Sequence, residues 1–416
     1  MQLMLFEDSG VHELNPLADL KPVYSLTTGF RTLREKMVHA VGGVFDVTCH
    51  LRRYLAPCFT EQNPSCIVNS IREKDVLLVN GRLVCSDLLG RLLRENALEP
   101  GRAYFQNGNL LFAKVPSTLV TDNDGMMPDL IDTARLADQL AAEEISGFRI
   151  IDNLWDLIAF HTDEMQKDAQ TLMLGRVEGT VHPSAAIVNP SNIYIGPGAV
   201  VRAGAVIDGE DGFVAVGAGA VVESQSLLMQ NVCLAPRSKV RPGAKIYSNV
   251  STGSFSKVGG EVEDSIIEPY ANKQHDGFLG HSYLSSWCNL GAGTNTSDLK
   301  NNYAPVRIFV NGRERETGLQ FLGLLMGEHS KSSIGSVFNT GTVAGTASNI
   351  FGGGFPPKTV PSFSWGGSDG LVPYELDKAV ETARQVMARR QVAMSCSYES
   401  MLRHIAGRER PEKDLP

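Results

Sequence analysis

From Val181 onward the chain keeps a beat of six residues. Ile195, Val201 and Ile207 stand six apart, with small Ala199 and Ala205 four places after the first two. Leu228, Leu234, Val240 and Ile246 repeat the beat, with Val232, Ser238, Ala244 and Val250 at the same offset. Phe278, Leu284 and Leu290 form a third run, followed by Ser282, Cys288 and Thr294. An α-helix repeats every ~3.6 residues and a flat strand every ~2. A beat of six instead suits a parallel β-helix, in which each short strand supplies one inward aliphatic and one small corner residue. Gly-Pro-Gly-Ala at 196–199 and Arg-Pro-Gly-Ala at 241–244 read as the turns. Three separated runs share one offset rule, which a Gly/Ala-rich loop would not maintain.

Up to about Gln170 the texture is different. Met1 to Asp8 reads as a first buried strand, and Asp75 to Val79 as another, followed by an amphipathic stretch at Leu88 to Leu93. Strand followed by helix, repeated, predicts an α/β layer domain. Leu154, Leu157, Ile158, His161 and Met165 recur at helical spacing and predict its closing helix, with a linker near Leu174–Glu178. From Asp377 to about Glu409, Val380, Ala383, Met387 and Val392 mark the buried side of an amphipathic helix pair. The expected domains are therefore residues 1–175, 176–370 and a helical tail at 371–416.

Charge and cysteine content narrow the partners. Lys and Arg total 38 against 46 Asp and Glu, and no basic block is dense enough to follow a phosphate backbone, so nucleic acid is not expected. No apolar run approaches the ~20 residues of a bilayer span, so no membrane partner is expected either. The first eight residues lack a basic n-region and meet two carboxylates early, unlike a secretory signal. Seven cysteines without a C-x-x-C pair fit a reducing compartment, and the expected location is the cytoplasm.

The informative stretch is Ala271-Asn272-Lys273-Gln274-His275-Asp276-Gly277-Phe278-Leu279-Gly280, followed by Asn289-Leu290-Gly291-Ala292-Gly293-Thr294. It resembles the acetyltransferase half of the GlmU-like family, bifunctional glucosamine-1-phosphate acetyltransferases and N-acetylglucosamine-1-phosphate uridyltransferases. Asn15-Pro16-Leu17 to Arg34-Glu35-Lys36 and Asp152 to Leu157 are similar to a divergent bacterial branch of that family. The resemblance implies a left-handed β-helix acyltransferase domain behind a nucleotidyltransferase-like domain of Rossmann-like layers, assembled as a homotrimer.

The resemblance implies His275 as the base that takes a proton from a sugar amine, oriented by Glu261 fourteen residues earlier. An imidazole with an unperturbed pKa of ~6.5 can accept a proton near neutrality, and a carboxylate on its other nitrogen fixes the tautomer. The same matching implies sugar binding by Asn289 and coenzyme A contact by Ala292. Gly291 and Gly293 allow close backbone approach there. Arg241 matches a family arginine that grips the sugar phosphate by a bidentate fork, and Lys300 is a second phosphate contact. Glu263 stands where the family has lysine and Phe278 where it has tyrosine, both facing that phosphate; Lys257 is the candidate to replace the charge. His281 and His329 have no matched partner and read as structural or rim residues. A three-histidine zinc site like that of γ-class carbonic anhydrases wants His-x4-His, and His275 and His281 are one residue further apart.

Toward the N-terminus the family's Gly-rich phosphate loop has no intact copy. Gly29 and Thr32, in Thr28-Gly29-Phe30-Arg31-Thr32, are its nearest remnants, with Arg31 in place of the second glycine. Arg34 and Lys36 are the candidate triphosphate contacts, or else a helix-face charge pair, and Asn80 and Gly81 complete the nucleotide set. Magnesium in this family is held by a strand-end aspartate and a late asparagine. Asn153 matches the latter, whereas the strand-end position holds Arg82.

The expected function is acetyl transfer from acetyl-CoA to glucosamine-1-phosphate or a related amino sugar. It would be coupled to nucleotidyl transfer that gives UDP-N-acetylglucosamine, with Mg2+ serving the N-terminal domain. Two readings stand beside it: a sugar-1-phosphate nucleotidyltransferase (a UDP- or dTDP-sugar pyrophosphorylase) whose β-helix only assembles the oligomer, and a non-catalytic scaffold.

Overall fold

Three columns of inward side chains run through residues 180–360. Val201, Val222, Val240, Val258 and Lys273 are register partners in one sheet, and Ile207, Leu228, Ile246, Val262 and Leu279 in a second. In the third, Ile195, Val216, Leu234, Thr252, Ile267, Leu284, Met326, Ala344 and Val360 follow one another. Every one of these neighbouring pairs is parallel, as a coil that advances one rung per turn requires. A computed structural model thus gives a left-handed β-helix of about 10 turns; it describes residues 2–95, 97–122 and 124–409. Residues 410–416 of the expected tail lie outside that set.

The six-residue beat is the step from one sheet to the next. Ile195, Val201 and Ile207 each enter a different sheet, and all three are buried. Ala199, Ala205, Ser238, Ala244, Ser282, Cys288 and Thr294 are buried at the corners between them, where a larger side chain would not fit. Removing one such aliphatic from water is worth ~1.5–3 kcal/mol. In the third run the inward residue is Leu279, not Phe278: Leu279 is buried and pairs with Val262, while Phe278 faces partly outward. Side chains alternate along a strand, so a slip of one residue exchanges the two faces. Between Thr296 and Leu324 the coil is interrupted by an antiparallel hairpin, Arg307–Val310 with Arg313–Glu316. Asn311 and Gly312 at its tip both have positive φ (50° and 74°), the pairing a two-residue hairpin turn needs.

The N-terminal sheet contains β1 (Gln2–Phe6), β2 (Asp46–Cys49), β3 (Asp75–Asn80), β4 (Arg102–Gln106), β5 (Asn109–Pro116) and β6 (Ala141–Glu144) in the order β2-β1-β3-β5-β4-β6. The β2-β1-β3 core is parallel, β3-β5 and β5-β4 are antiparallel, and β4-β6 is parallel again. Helix α1 (Leu33–Val41) starts at a capping box in which Thr32 and Glu35 satisfy each other's backbone N–H groups. The expected closing helix is present as Asp156–Ala159 and α2 (His161–Ala169). The tail is the pair α3 (Leu376–Ala388) and α4 (Cys396–Glu409); Val380, Ala383 and Met387 are buried in α3.

By internal contacts the chain forms two units. One comprises Met1–Leu26, Arg31–Leu154 and Ser395–Ile405; the other comprises Thr27–Phe30, Trp155–Met394 and the chain end from Ala406. Among the described residues no helix is long and apolar enough to cross a membrane.

Candidate functional site

On the β-helix, the corner carrying His275 is built on close backbone approach. A Cβ at Gly260 would fall 2.7 Å from the His275 carbonyl oxygen, and one at Gly277 only 2.1 Å from that of Thr294. Both glycines also have positive φ, 71° and 122°. Beneath the corner, Lys273 projects inward and donates from Nζ to the carbonyl oxygens of Gly259 (3.0 Å) and His275 (2.6 Å). Burial pushes its pKa down to about 8. The His275 ring itself is exposed.

The Gly291-Ala292-Gly293 turn lies on the next coil. Gly293 N–H donates to Asp276 O (3.1 Å) and Gly335 N–H to Ala292 O (2.7 Å), so three successive corners stack with the His275 turn at one side. A Cβ at Gly291 would meet Ser333 O at 2.3 Å. Asn289 bridges Asn272 and Lys331 through its backbone. The structure therefore brings His275, Asn289 and Gly291–Gly293 to consecutive rungs. Glu261 is engaged differently: the Tyr247 hydroxyl donates to Glu261 Oε1, and Lys245 Nζ lies 4.0 Å from Oε2. Among the described residues no hydrogen bond joins Glu261 to His275.

Arg241 and Lys257 are also gathered. Burial, and then the charges of Arg390, Arg241, Arg389 and Lys239, hold the Lys257 ammonium below the usual lysine range. Arg390, just past α3, donates to Asn272 Oδ1 (2.6 Å) and Phe255 O (3.2 Å). Glu223 partly offsets this cluster through Lys239 (2.5 Å) and Arg202 (2.9 Å). Lys300 is not part of it and donates to Pro305 O (3.2 Å) at the base of the inserted hairpin. Arg389 and Arg390 escaped the sequence reading because they lie outside the repeat.

A second polar cluster, not predicted, occupies another corner. His281 has φ +43° and donates from Nδ1 to Asp298 Oδ2 (2.8 Å), its Nε2 lies 3.9 Å from Asp264 Oδ2, and Phe321 stacks on the ring at 4.9 Å. Asn249 donates to Asp264 Oδ1 (2.8 Å). Burial raises the carboxyls of Glu263 and Asp264, with Asp298 adding to both. Asp298, seventeen residues beyond His281, was the signal available in sequence. His329, by contrast, is buried in a ladder of rings in which Phe255, Tyr270 and Trp287 precede it.

In the N-terminal unit the loop after β1 is acidic, and both carboxylates are clamped. Arg52 donates from Nε to Glu7 Oε2 and from a terminal nitrogen to Oε1 (both 3.1 Å). Arg82 donates to both oxygens of Asp8 (3.1 and 2.9 Å), to Asn109 (2.9 Å) and to Asp152. A Cβ at Gly10 would sit 2.3 Å from the Arg82 guanidinium carbon. Asn80 donates to Asp8 Oδ2 (2.8 Å), and a Cβ on Gly81 would collide with Tyr24. Asn80 and Gly81 thus belong to this buried network.

The other nucleotide candidates are dispersed. Gly29 N–H donates to His161 Nδ1 (3.1 Å), Thr32 caps α1, Lys36 is buried, and Arg34 lies beside Cys49 and Cys66. Magnesium does not fit here. Asn153 follows Asp152, but the position where a second oxygen would be needed holds a guanidinium already bonded to Asp8 and Asp152. A fixed cation there repels a second one.

Residues 3–177 match the family model described as sugar nucleotidyl transferase. Curated relatives include the bifunctional protein GlmU of Methanocaldococcus jannaschii, 29% identical over 111 residues (27% of this chain, 26% of the relative). That of Acidovorax ebreus is 31% identical over 136 residues (32% and 25%). Over these segments the chain is similar to GlmU proteins. It spans about a quarter of the length of these curated relatives. Among solved structures, the UDP-N-acetylglucosamine acyltransferase of Campylobacter jejuni aligns over 54% of this chain and 95% of its own, at 14% identity and a TM-score of 0.22.

Proposed function

We propose that the β-helix transfers an acetyl group from acetyl-CoA to the amine of glucosamine-1-phosphate or a related amino sugar. The amine nitrogen attacks the thioester carbonyl, His275 takes the amine proton, and the coenzyme A thiolate leaves and is reprotonated. The observation carrying this reading is the stacking of the His275 corner on the Gly291-Ala292-Gly293 turn through Asp276 O and Gly293 N–H (3.1 Å). This sets an exposed base beside backbone that a thin pantetheine arm can approach. Arg241 and Lys257 supply the positive charge for a phosphate, and Asn289 a contact for the sugar. Glu261 would orient the imidazole after exchanging its Tyr247 hydrogen bond, which makes it a positioning residue.

The proposed catalytic form is a cytoplasmic homotrimer, with functional boundaries near residues 175 and 370. Coupled nucleotidyl transfer to UDP-N-acetylglucosamine is the further part of this reading. The runner-up, a sugar-1-phosphate nucleotidyltransferase with an assembly-only β-helix, draws on the family match of residues 3–177. The Asp8–Arg82–Asp152 network counts against its metal-dependent form.

The test is thiol release from acetyl-CoA with glucosamine-1-phosphate, beside His275→Ala and a control of N-acetylglucosamine-1-phosphate, UTP and magnesium. Free coenzyme A that requires His275 is expected, with a drop of about 10²–10⁴-fold in the variant. Silence there, with pyrophosphate released in the control, transfers the function to the N-terminal domain. Silence in both leaves the scaffold reading.

A further inference from the structure

We infer that Glu263, His281 and Asp298 form a binding site for a divalent first-row metal ion, coordinated by one imidazole and two carboxylates. Each residue offers one ligand atom, and the three atoms lie within 4.8 Å of one another. They come from separate parts of the coil: the strand Glu261–Glu263, the corner after Phe278–Gly280, and the segment after Asn295–Thr296. Chain proximity therefore does not explain the convergence.

The fold makes room for it at Gly280. A Cβ there would lie 2.3 Å from Asp298 Oδ2 and 2.6 Å from the Phe278 ring, so the missing side chain is what admits the carboxylate. Gly280 does not have positive φ, so backbone conformation gives no reason for glycine at this position. Phe321, stacked on His281, covers one side of the imidazole and restricts its rotation.

Charge balance points the same way. Glu261, Glu263, Asp264 and Asp298 face this corner. The cations nearby are Lys245, 4.0 Å from Glu261, and His281 when protonated. No described residue donates a hydrogen bond to the Glu263 carboxylate. One imidazole among several carboxylate oxygens is a donor set for Mn2+-type ions, since carboxylates favour Mn2+ and imidazole favours its heavier neighbours. Asp264, held by Asn249, stands beside the set, with Oδ2 3.9 Å from His281 Nε2.

This inference does not depend on the acetyltransferase reading. Mn2+ is the probe because it avoids the chain's seven thiols, which would compete for Zn2+. The full chain, stripped with chelator, is titrated with MnCl2 and free ion is followed by electron paramagnetic resonance. One ion per chain is expected. His281→Ala, Asp298→Asn and Gly280→Ala should each weaken binding by at least about tenfold, and His182→Ala should leave it unchanged. Thermal melts of the stripped proteins verify folding; if His281→Ala does not fold, the near-isosteric Asp298→Asn decides. Absence of stoichiometric Mn2+ uptake, or uptake by folded variants equal to that of the parent, overturns the site. Binding of glucosamine in place of Mn2+, lost with the same variants, also overturns it in favour of an ammonium site.

Discussion

The two units handle charge in opposite ways. In the N-terminal unit Glu7, Asp8, Arg52 and Arg82 are all buried, and each carboxylate is matched to one guanidinium with its remaining hydrogen-bonding capacity used. On the β-helix, Lys239, Arg241, Lys257, Arg389 and Arg390 crowd one face while Glu261, Glu263, Asp264 and Asp298 crowd another, and neither group is fully neutralised. Closed networks hold a fold in one arrangement, whereas unbalanced ones are available to ligands. On the β-helix each cluster keeps an excess of one sign of charge despite its internal hydrogen bonds.

The sharpest way to break this contrast is Arg82→Ala. It strands Asp8 without its counter-ion and should cost ~3–5 kcal/mol of stability, read by urea unfolding. Arg241→Ala on the β-helix should change stability by less than ~0.5 kcal/mol while weakening phosphate binding. If Arg82→Ala were equally mild, the N-terminal network would not be structural. Leu279→Ala comes next, at ~2–5 kcal/mol. Phe278→Ala, one residue away and facing outward, should cost clearly less, which a pair of melts will separate.

Lys273, like Lys331, is a cation of the β-helix whose Nζ donates to backbone carbonyl oxygens, and burial pushes each down to about 8. The folded chain gives up the Lys273 proton near pH 8, whereas the unfolded chain holds it to ~10.4. Between these values the unfolded state binds more protons, so stability should rise with pH, Lys273 contributing about 3 kcal/mol. Lys273→Met should remove its share of that rise in a pH series of unfolding curves, leaving the share from Lys331, which burial also holds at about 8.

The smallest effect concerns Cys66. A hydrogen bond from Cys49 lowers its thiol to about 7 against the opposing effect of burial, and Arg34 adds its charge. Alkylation in the folded protein should turn on with a midpoint near pH 7 and move to higher pH in Arg34→Ala, as read by mass spectrometry.

How much of this was legible follows from where the information lies. The β-helix could be read because its core is one-dimensional: Ile195, Val201 and Ile207 each point inward by local geometry, and the beat survives without knowledge of distant contacts. It slipped at Phe278 because the step from inward Leu279 to inward Leu284 is five residues rather than six, passing His281 at φ +43°, a backbone event that hydropathy does not register. In the N-terminal domain β1 and β3 were visible as apolar runs. The meaning of Glu7 and Asp8 was not, because their partners Arg52 and Arg82 are brought in by strand pairing across 45 and 74 residues. His281 was dismissed for want of a matched partner, and Asp298 becomes one only when the coil closes. Family matching located His275 and the Gly291–Gly293 turn, but it could not foresee that Tyr247 occupies Glu261.

Val222, Val240 and Val258 are register partners on successive rungs, eighteen residues apart. Each rung hydrogen-bonds only to the rungs above and below, so the coil behaves as a stack of interchangeable plates. Excising one complete plate from the regular stretch would shorten the rod and return every later side chain to its own face. Removing a fraction of one would turn inward residues outward along the remaining length. The rod can therefore change length only in whole-plate steps, and the distance between groups along its axis is quantised by the same spacing.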